Sequence, residues 1–144
     1  MAMRFFVGVA SREHVLAGVR GGIAQLGHGK MAPAKRLAKG DWVIYYSSKE
    51  RISEGGQCQR FTALGRVLDD EANQVEQAPG FTPWRRRMEY LEGREVEIRP
   101  LLDQLSFIAD KSRWGAVFRF GLIEVPRDDF VRIAKRMVPA FEPS

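Results

Sequence analysis

Cysteine is nearly absent from this chain, and histidine almost so: one Cys and two His occur in 144 residues. The single thiol, Cys58, excludes an intramolecular disulfide and suits a reducing compartment. One Cys and two His are also too few for a Cys/His zinc site. No apolar run approaches the length of a membrane span. Met1-Ala2-Met3-Arg4 leads straight into an apolar strand with no cleavage-site pattern, so no signal peptide is expected and the protein reads as cytoplasmic. No phosphate-binding loop, dinucleotide fingerprint or nucleophile elbow occurs; Gly27-His28-Gly29-Lys30 is glycine-rich but wrongly spaced for a Walker loop. Cys58 and His28 are in principle a nucleophile and a base, yet nothing in the sequence places them together, and a lone Cys in a strand is usually inert core. These absences leave no cofactor or metal to expect, and they favour a binding module over an enzyme.

Acidic residues are scarce at one end only. Residues 1–40 carry seven Lys/Arg against one acidic residue, whereas residues 41–80 carry four against seven and residues 81–144 twelve against ten. The plain reading is a moderately basic protein of net charge +5. The sharper one is a basic patch built from the first forty residues, Arg85-Arg86-Arg87, Lys111 and Arg113, suited to a polyanion and most simply to nucleic acid. Lys30, Lys35, Arg36, Arg85, Arg86, Lys111 and Arg113 are the candidate phosphate contacts. Arg85–Arg87 reads equally as a solvated face paired with Glu89 and Glu95, and Lys30, Lys35, Arg36 and Lys39 have the same alternative.

The pattern of apolar residues predicts one domain, 1–144, of α+β class. Its centre is Gly40 to Ser47, Gly-Asp-Trp-Val-Ile-Tyr-Tyr-Ser. Trp42, Ile44 and Tyr46 alternate with Val43 and Tyr45, so the strand is apolar on both faces and must be covered on both sides. Two hydroxyl-bearing rings followed by Ser47 suggest a polar pocket at its exit. Arg4–Ala10 is a second buried strand, followed by a helix with Ser11 as N-cap and Glu13 in its first turn, closed by Gly21-Gly22. Ile23–Leu26 reads as an edge strand, and Pro33 opens a short helical turn. Ser48–Gln57 is a hairpin loop and Arg60–Leu68 a strand, in which Gly65 suggests a bulge or bend. Trp84–Leu91 and Arg94–Arg99 read as a hairpin about Gly93. Leu101, Leu102, Leu105 and Ile108 have helical spacing, Ala116–Val125 is extended, and Phe130, Val131, Ile133, Ala134 and Met137 mark a last helix. Five to seven strands with short helices make a curved or barrel-like domain.

The order strand, capped helix, Gly-Gly, His-Gly-Lys, Pro-opened turn and Gly-Asp-Trp-Val-Ile-Tyr-Tyr-Ser resembles the opening of an EVE domain. The resemblance continues in Phe81-Thr82-Pro83-Trp84-Arg85-Arg86, in Leu101–Lys111 and in Arg113-Trp114-Gly115, and it covers Phe5 to about Met137. EVE domains belong to the PUA-like superfamily with the YTH and ASCH domains, and Phe5-Phe6-Val7 through Val19 also looks like a YTH opening. The resemblance implies a PUA-like, mostly antiparallel β-barrel of five to seven strands flanked by short helices. It also implies a pocket for a nucleobase, a modified one, in DNA or RNA. An enzyme acting on a nucleotide or tRNA base and a protein-interaction module are the alternatives. No membrane or metal is implied, and a monomer is expected.

The PUA-like pattern puts that pocket between the end of the first strand, the segment after the first helix and the central strand. Here this points to Ala10 and Ser11, to Gln25 and His28, and to Tyr45, Tyr46 and Ser47. A flipped base needs a ring or apolar face to stack on and hydrogen bonds to its edge. Gln25 offers donor and acceptor, and Ser11, Ser47 and the tyrosine hydroxyls adapt. Phe81 and Trp84 are candidate stacking rings, or simply close the barrel end; the segment Ile23-Ala24-Gln25 has no tryptophan where the YTH pattern has one. Ser11 reads equally as a helix cap, His28 as a loop residue. One of Tyr45 and Tyr46 is expected in the core and the other toward the pocket.

Overall fold

The computed structural model describes residues 3–52 and 55–143; Ser53 and Glu54, inside the expected hairpin loop, lie outside the described residues. Phe5–Val9 forms strand β1 and runs parallel to Trp42–Lys49, strand β3. Every other strand pairing among the described residues is antiparallel. Between β1 and β3 come helix α1, Arg12–Gly21, the two-residue strand β2, Ile23–Ala24, and helix α2, Met31–Arg36. After β3 come β4, Gln57–Val67, β5, Asn73–Gln74, β6, Trp84–Tyr90, β7, Val96–Glu97, β8, Leu122–Glu124, and helix α3, Arg127–Met137. The ladder order is β2-β6-β4-β3-β1-β8, with β5 on β6 and β7 on β4. Its two ends do not pair with each other, so the sheet curls into a half-barrel.

The central strand behaves as its alternation requires. Trp42, Ile44 and Tyr46 join one apolar cluster with Phe5, Val7, Phe61 and the α3 residues Phe130, Ile133 and Met137. Val43 and Tyr45 join a second with Phe6, Val15, Leu26, Ala63 and Met88, under α1. Asp41 shapes the entry to the strand: its buried carboxylate accepts from the Ala38 amide at 2.8 Å and the Arg4 amide at 3.0 Å.

Four expectations change. Among the described residues there are eight strands rather than five to seven, three of them only two residues long. The bulge in β4 is not at Gly65, which pairs in register with Val43 and Tyr90; the register shifts at Thr62, between the pairs Tyr45–Ala63 and Tyr46–Phe61. That one extra residue flips the parity of the strand, so Phe61 lies in the same cluster as Leu64 while Ala63 and Val67 lie in the other. Gly65 is small for a different reason, since a Cβ there would stand 2.8 Å from the Tyr90 ring. β6 and β7 do not form a hairpin but both pair with β4, because Gly93 packs against α3, where a Cβ would meet the Met137 carbonyl at 2.8 Å. Lastly, Lys111–Arg119 is a run of 3-10 turns, and only Leu122–Glu124 of the expected extended stretch pairs.

Candidate functional site

β1 and β3 are parallel, so their carboxyl ends emerge side by side; Val9 stands opposite Tyr46. β8 is antiparallel to β1, so its start lies at the same end. The segments leaving β1 and β3 and the segment entering β8 therefore converge there. The result is a cleft of about 480 Å³, within the usual range for a small-ligand site. It is lined by Val9–Ser11 and His14 from β1 and α1, by Gln25, Gly27, His28 and Lys30, by Ser48 and Lys49 at the end of β3 and Ile52 beyond it, and by Phe118, Arg119 and Gly121 before β8. Three of these residues carry a permanent positive charge, Lys30, Lys49 and Arg119, and none carries a carboxylate.

The turn that forms one wall is unusual. Gly27, His28 and Gly29 have φ of 57°, 59° and 79°, one turn of left-handed 3-10 helix closed by bonds from Gly29 N to Leu26 O and Lys30 N to Gly27 O. Two glycines adopt this backbone freely, but His28 does so at about 1–2 kcal/mol. Gly29 cannot carry a side chain, because a Cβ would stand 2.4 Å from Pro83. The Phe81–Trp84 loop thus buttresses the turn from behind. Neither Phe81 nor Trp84 lines the cleft; the Lys35 ammonium sits 5.3 Å over the Trp84 ring.

Gln25 is 7% exposed, and its side-chain amide makes no hydrogen bond among the described residues. Its backbone, by contrast, is held: His14 Nε2 lies 3.1 Å from the Gln25 carbonyl. A carbonyl only accepts, so Nε2 carries the proton. Behind Gln25 and His14 lies a second, smaller cavity of about 120 Å³, lined also by Val15, Ile23, Tyr45 and Tyr90. Tyr90 donates to the Ile23 carbonyl at 2.8 Å, and Tyr45 hydrogen-bonds Tyr90. Burial pushes both hydroxyls well above the ordinary tyrosine range, so both stay protonated.

Of the residues expected at the pocket, Ala10, Ser11, Gln25 and His28 meet at the cleft. Ser11 is also the helix cap, its Oγ accepting from the His14 amide at 3.3 Å. Tyr45 lines the smaller cavity. Tyr46 lies in the core, stacked on Phe118 at 4.1 Å between ring centroids; burial pushes its hydroxyl up to about 12. Ser47 is fully buried on Thr62, because β3 runs two residues further than its apolar pattern.

Among the expected phosphate contacts, Lys30 is exposed at the cleft and Arg113 lines a shallow surface hollow with Arg119. Arg86 is unsuited to that role. It is 1% exposed, and its guanidinium is consumed by Asp69, at 2.8 Å, and by the carbonyls of Asp69, Ala34 and Leu37. Arg36 donates to the Leu122 carbonyl at 2.7 Å and Lys111 to that of Leu105 at 2.6 Å. Arg85 is half-buried, and its side chain has no hydrogen bond or ion pair among the described residues.

His14, Ser48, Lys49, Ile52, Phe118, Arg119 and Gly121 also line the cleft and are not marked for it by the sequence pattern. The bridge that brings 118–121 to the site, Val9 N to Gly121 O at 2.9 Å, spans more than a hundred residues and leaves no local signal. A Cys58–His28 pair does not form: Cys58 lies beside Glu50, and burial first, then that carboxylate, push its thiol up to about 11. Among the described residues no group of His, Cys, Asp and Glu is placed to hold a metal, and no helix is long and apolar enough to cross a membrane.

The family model of the EVE domain matches residues 4–136. The chain belongs to the EVE domain family. Curated relatives of this EVE domain are UPF0310 proteins. One from Mycolicibacterium vanbaalenii is 46% identical over 136 residues, covering 94% of each chain. Another, from Bacillus licheniformis, is 49% identical over 128 residues, covering 89% of this chain and 87% of the relative. Among solved structures, one from Agrobacterium tumefaciens superimposes with a TM-score of 0.61 at 12% identity over 98% and 97% of the two chains. The MmI1 YTH domain does so with a TM-score of 0.57 at 12% identity over 92% of each. The fold of this chain is thus like that of a YTH domain.

Proposed function

We propose that this EVE domain binds nucleic acid and seats one base, unpaired or extruded, in the cleft at the carboxyl ends of β1 and β3, without chemically changing it. The observation that carries this reading is Gln25: a residue more than nine-tenths buried whose side-chain amide has no protein partner among the described residues and lines a cleft whose charged side chains are all cations. A carboxamide presents a donor and an acceptor side by side, which matches the edge of a base. Phe118 supplies an apolar wall, and Lys30, Lys49 and Arg119 suit phosphates. The smaller cavity behind Gln25 and His14 has room for a substituent on the base, such as a methyl or hydroxymethyl group. The likeness to a YTH domain supports the fold of this reading and no particular base.

A thermal-shift screen against modified nucleosides and short oligonucleotides, with mass spectrometry of the ligand afterwards, tests it. Stabilisation with the ligand recovered intact supports the proposal. A chemically changed ligand would make the protein an enzyme on a base, and no shift with any nucleoside or oligonucleotide would leave the surface to a protein partner.

A further inference from the structure

Resting on that reading, two side chains beside the cleft go further. Phe120 is 69% exposed and Ile52 is 65% exposed, more than any other large apolar side chain among the described residues. They flank the same strand end. Ile52 lines the cleft beyond β3, on one side of the exit of β1. Phe120 lies between Arg119 and Gly121, which both line the cleft, just before β8 on the other side. Two residues earlier the same segment turns Phe118 inward against Tyr46, so burial of one ring and exposure of the next are both imposed by the turn. Single exposed apolar residues are ordinary. Two of them, one lining a cation-lined cleft and the other set between two residues that line it, are a pattern.

We infer that Ile52 and Phe120 carry the nucleotides on either side of the seated base, so that the ligand is a single strand laid across the end of β1. Bases expose their faces only when unstacked, and ring-on-base stacking tolerates any sequence. A duplex would instead bring its charged backbone against these two apolar side chains. The cations close by, Lys30, Lys49 and Arg119 at the cleft and Arg113 beside Arg119, suit the phosphates of one short strand.

The test is fluorescence anisotropy with a labelled twelve-nucleotide strand of randomised sequence, as DNA and as RNA, and with a random-sequence twelve-base-pair duplex. Phe120→Ala should weaken single-strand binding about 5- to 150-fold, Phe120→Trp should restore it, and the duplex should bind more weakly than the strand. Both substitutions fall on an exposed side chain and leave the fold intact. Unchanged single-strand affinity in Phe120→Ala, failure of Phe120→Trp to restore it, or a preference for the duplex overturns the inference. Gln25→Ala separates the two readings: if it binds the strand as tightly as the parent while Phe120→Ala does not, the base-seating reading fails and the stacking surface stands. If the parent binds neither strand nor duplex, both fail.

Discussion

His28 is a residue whose local cost has no local compensation. It holds φ at 59°, a backbone conformation that glycine favours. Strain tends to gather at working sites. His28→Gly should therefore stabilise the protein by ~0.5–1 kcal/mol, the relief of about 1–2 kcal/mol being offset in part by the greater freedom of glycine in the unfolded chain. Urea unfolding measures this, and a loss of stability would mean that the imidazole has partners that outweigh its backbone strain. Arg86 is the opposite case. The run Arg85-Arg86-Arg87 looks uniform in sequence, yet strand alternation sends its middle member inward to Asp69 and three backbone carbonyls. Removing one partner of a buried pair typically costs about 3–5 kcal/mol, so Arg86→Ala should lower stability by about that much, while Arg85→Ala should leave it within about 0.5 kcal/mol. Equal effects of the two would contradict the assignment. At Cys58 the thiol, pushed up to about 11, stays protonated at neutral pH. Alkylation by iodoacetamide should be slow at pH 7.5 and rise about tenfold per pH unit until the pH nears 11, because only the thiolate reacts; a plateau near pH 8 would show an ordinary thiol.

The elements divide by whether their cause is local. β1, α1 and β3 are legible in the sequence because alternation, the Ser11 cap and the two-sided apolar run each lie within a few residues. So is α3, whose stripe from Phe130 to Met137 faces the core. β4 is legible in extent but not in parity, since Thr62 is pushed out of register by pairing with β3, a partner that propensity does not see. The displaced pair Ser47–Thr62, 2.8 Å apart between hydroxyls and buried, fixes that register. Thr62→Val strands the Ser47 hydroxyl and should cost about 1–3 kcal/mol, read by thermal unfolding; a change below a few tenths would mean that the bulge holds without the bond. The candidate site divides the same way: the part that comes directly after β1 and α1 in the chain is legible. The wall from Phe118 to Gly121 is not, because only the β1–β8 pairing brings it there.

At the scale of the molecule, the curl of the sheet gathers loops from four distant stretches at one end, around a floor of small residues and a rim of cations. The net charge of +5 is common and says little; its placement at that rim says more. If Lys30, Lys49, Arg119 and Arg113 meet three or four phosphates, log affinity for a single strand should fall against log salt with a slope of about −2 to −3. A slope near zero would remove the cations from the account. The most direct measurement is a ¹⁵N-¹H correlation titration with the single-stranded twelve-mer, since the side-chain NH₂ of Gln25 gives its own pair of signals. The account predicts the largest shifts in that pair and in the amides of residues 10–11, 27–30, 48–52 and 118–121. Shifts confined to the Phe81–Trp84 loop and the outer face of β6, with the Gln25 pair unmoved, would contradict it.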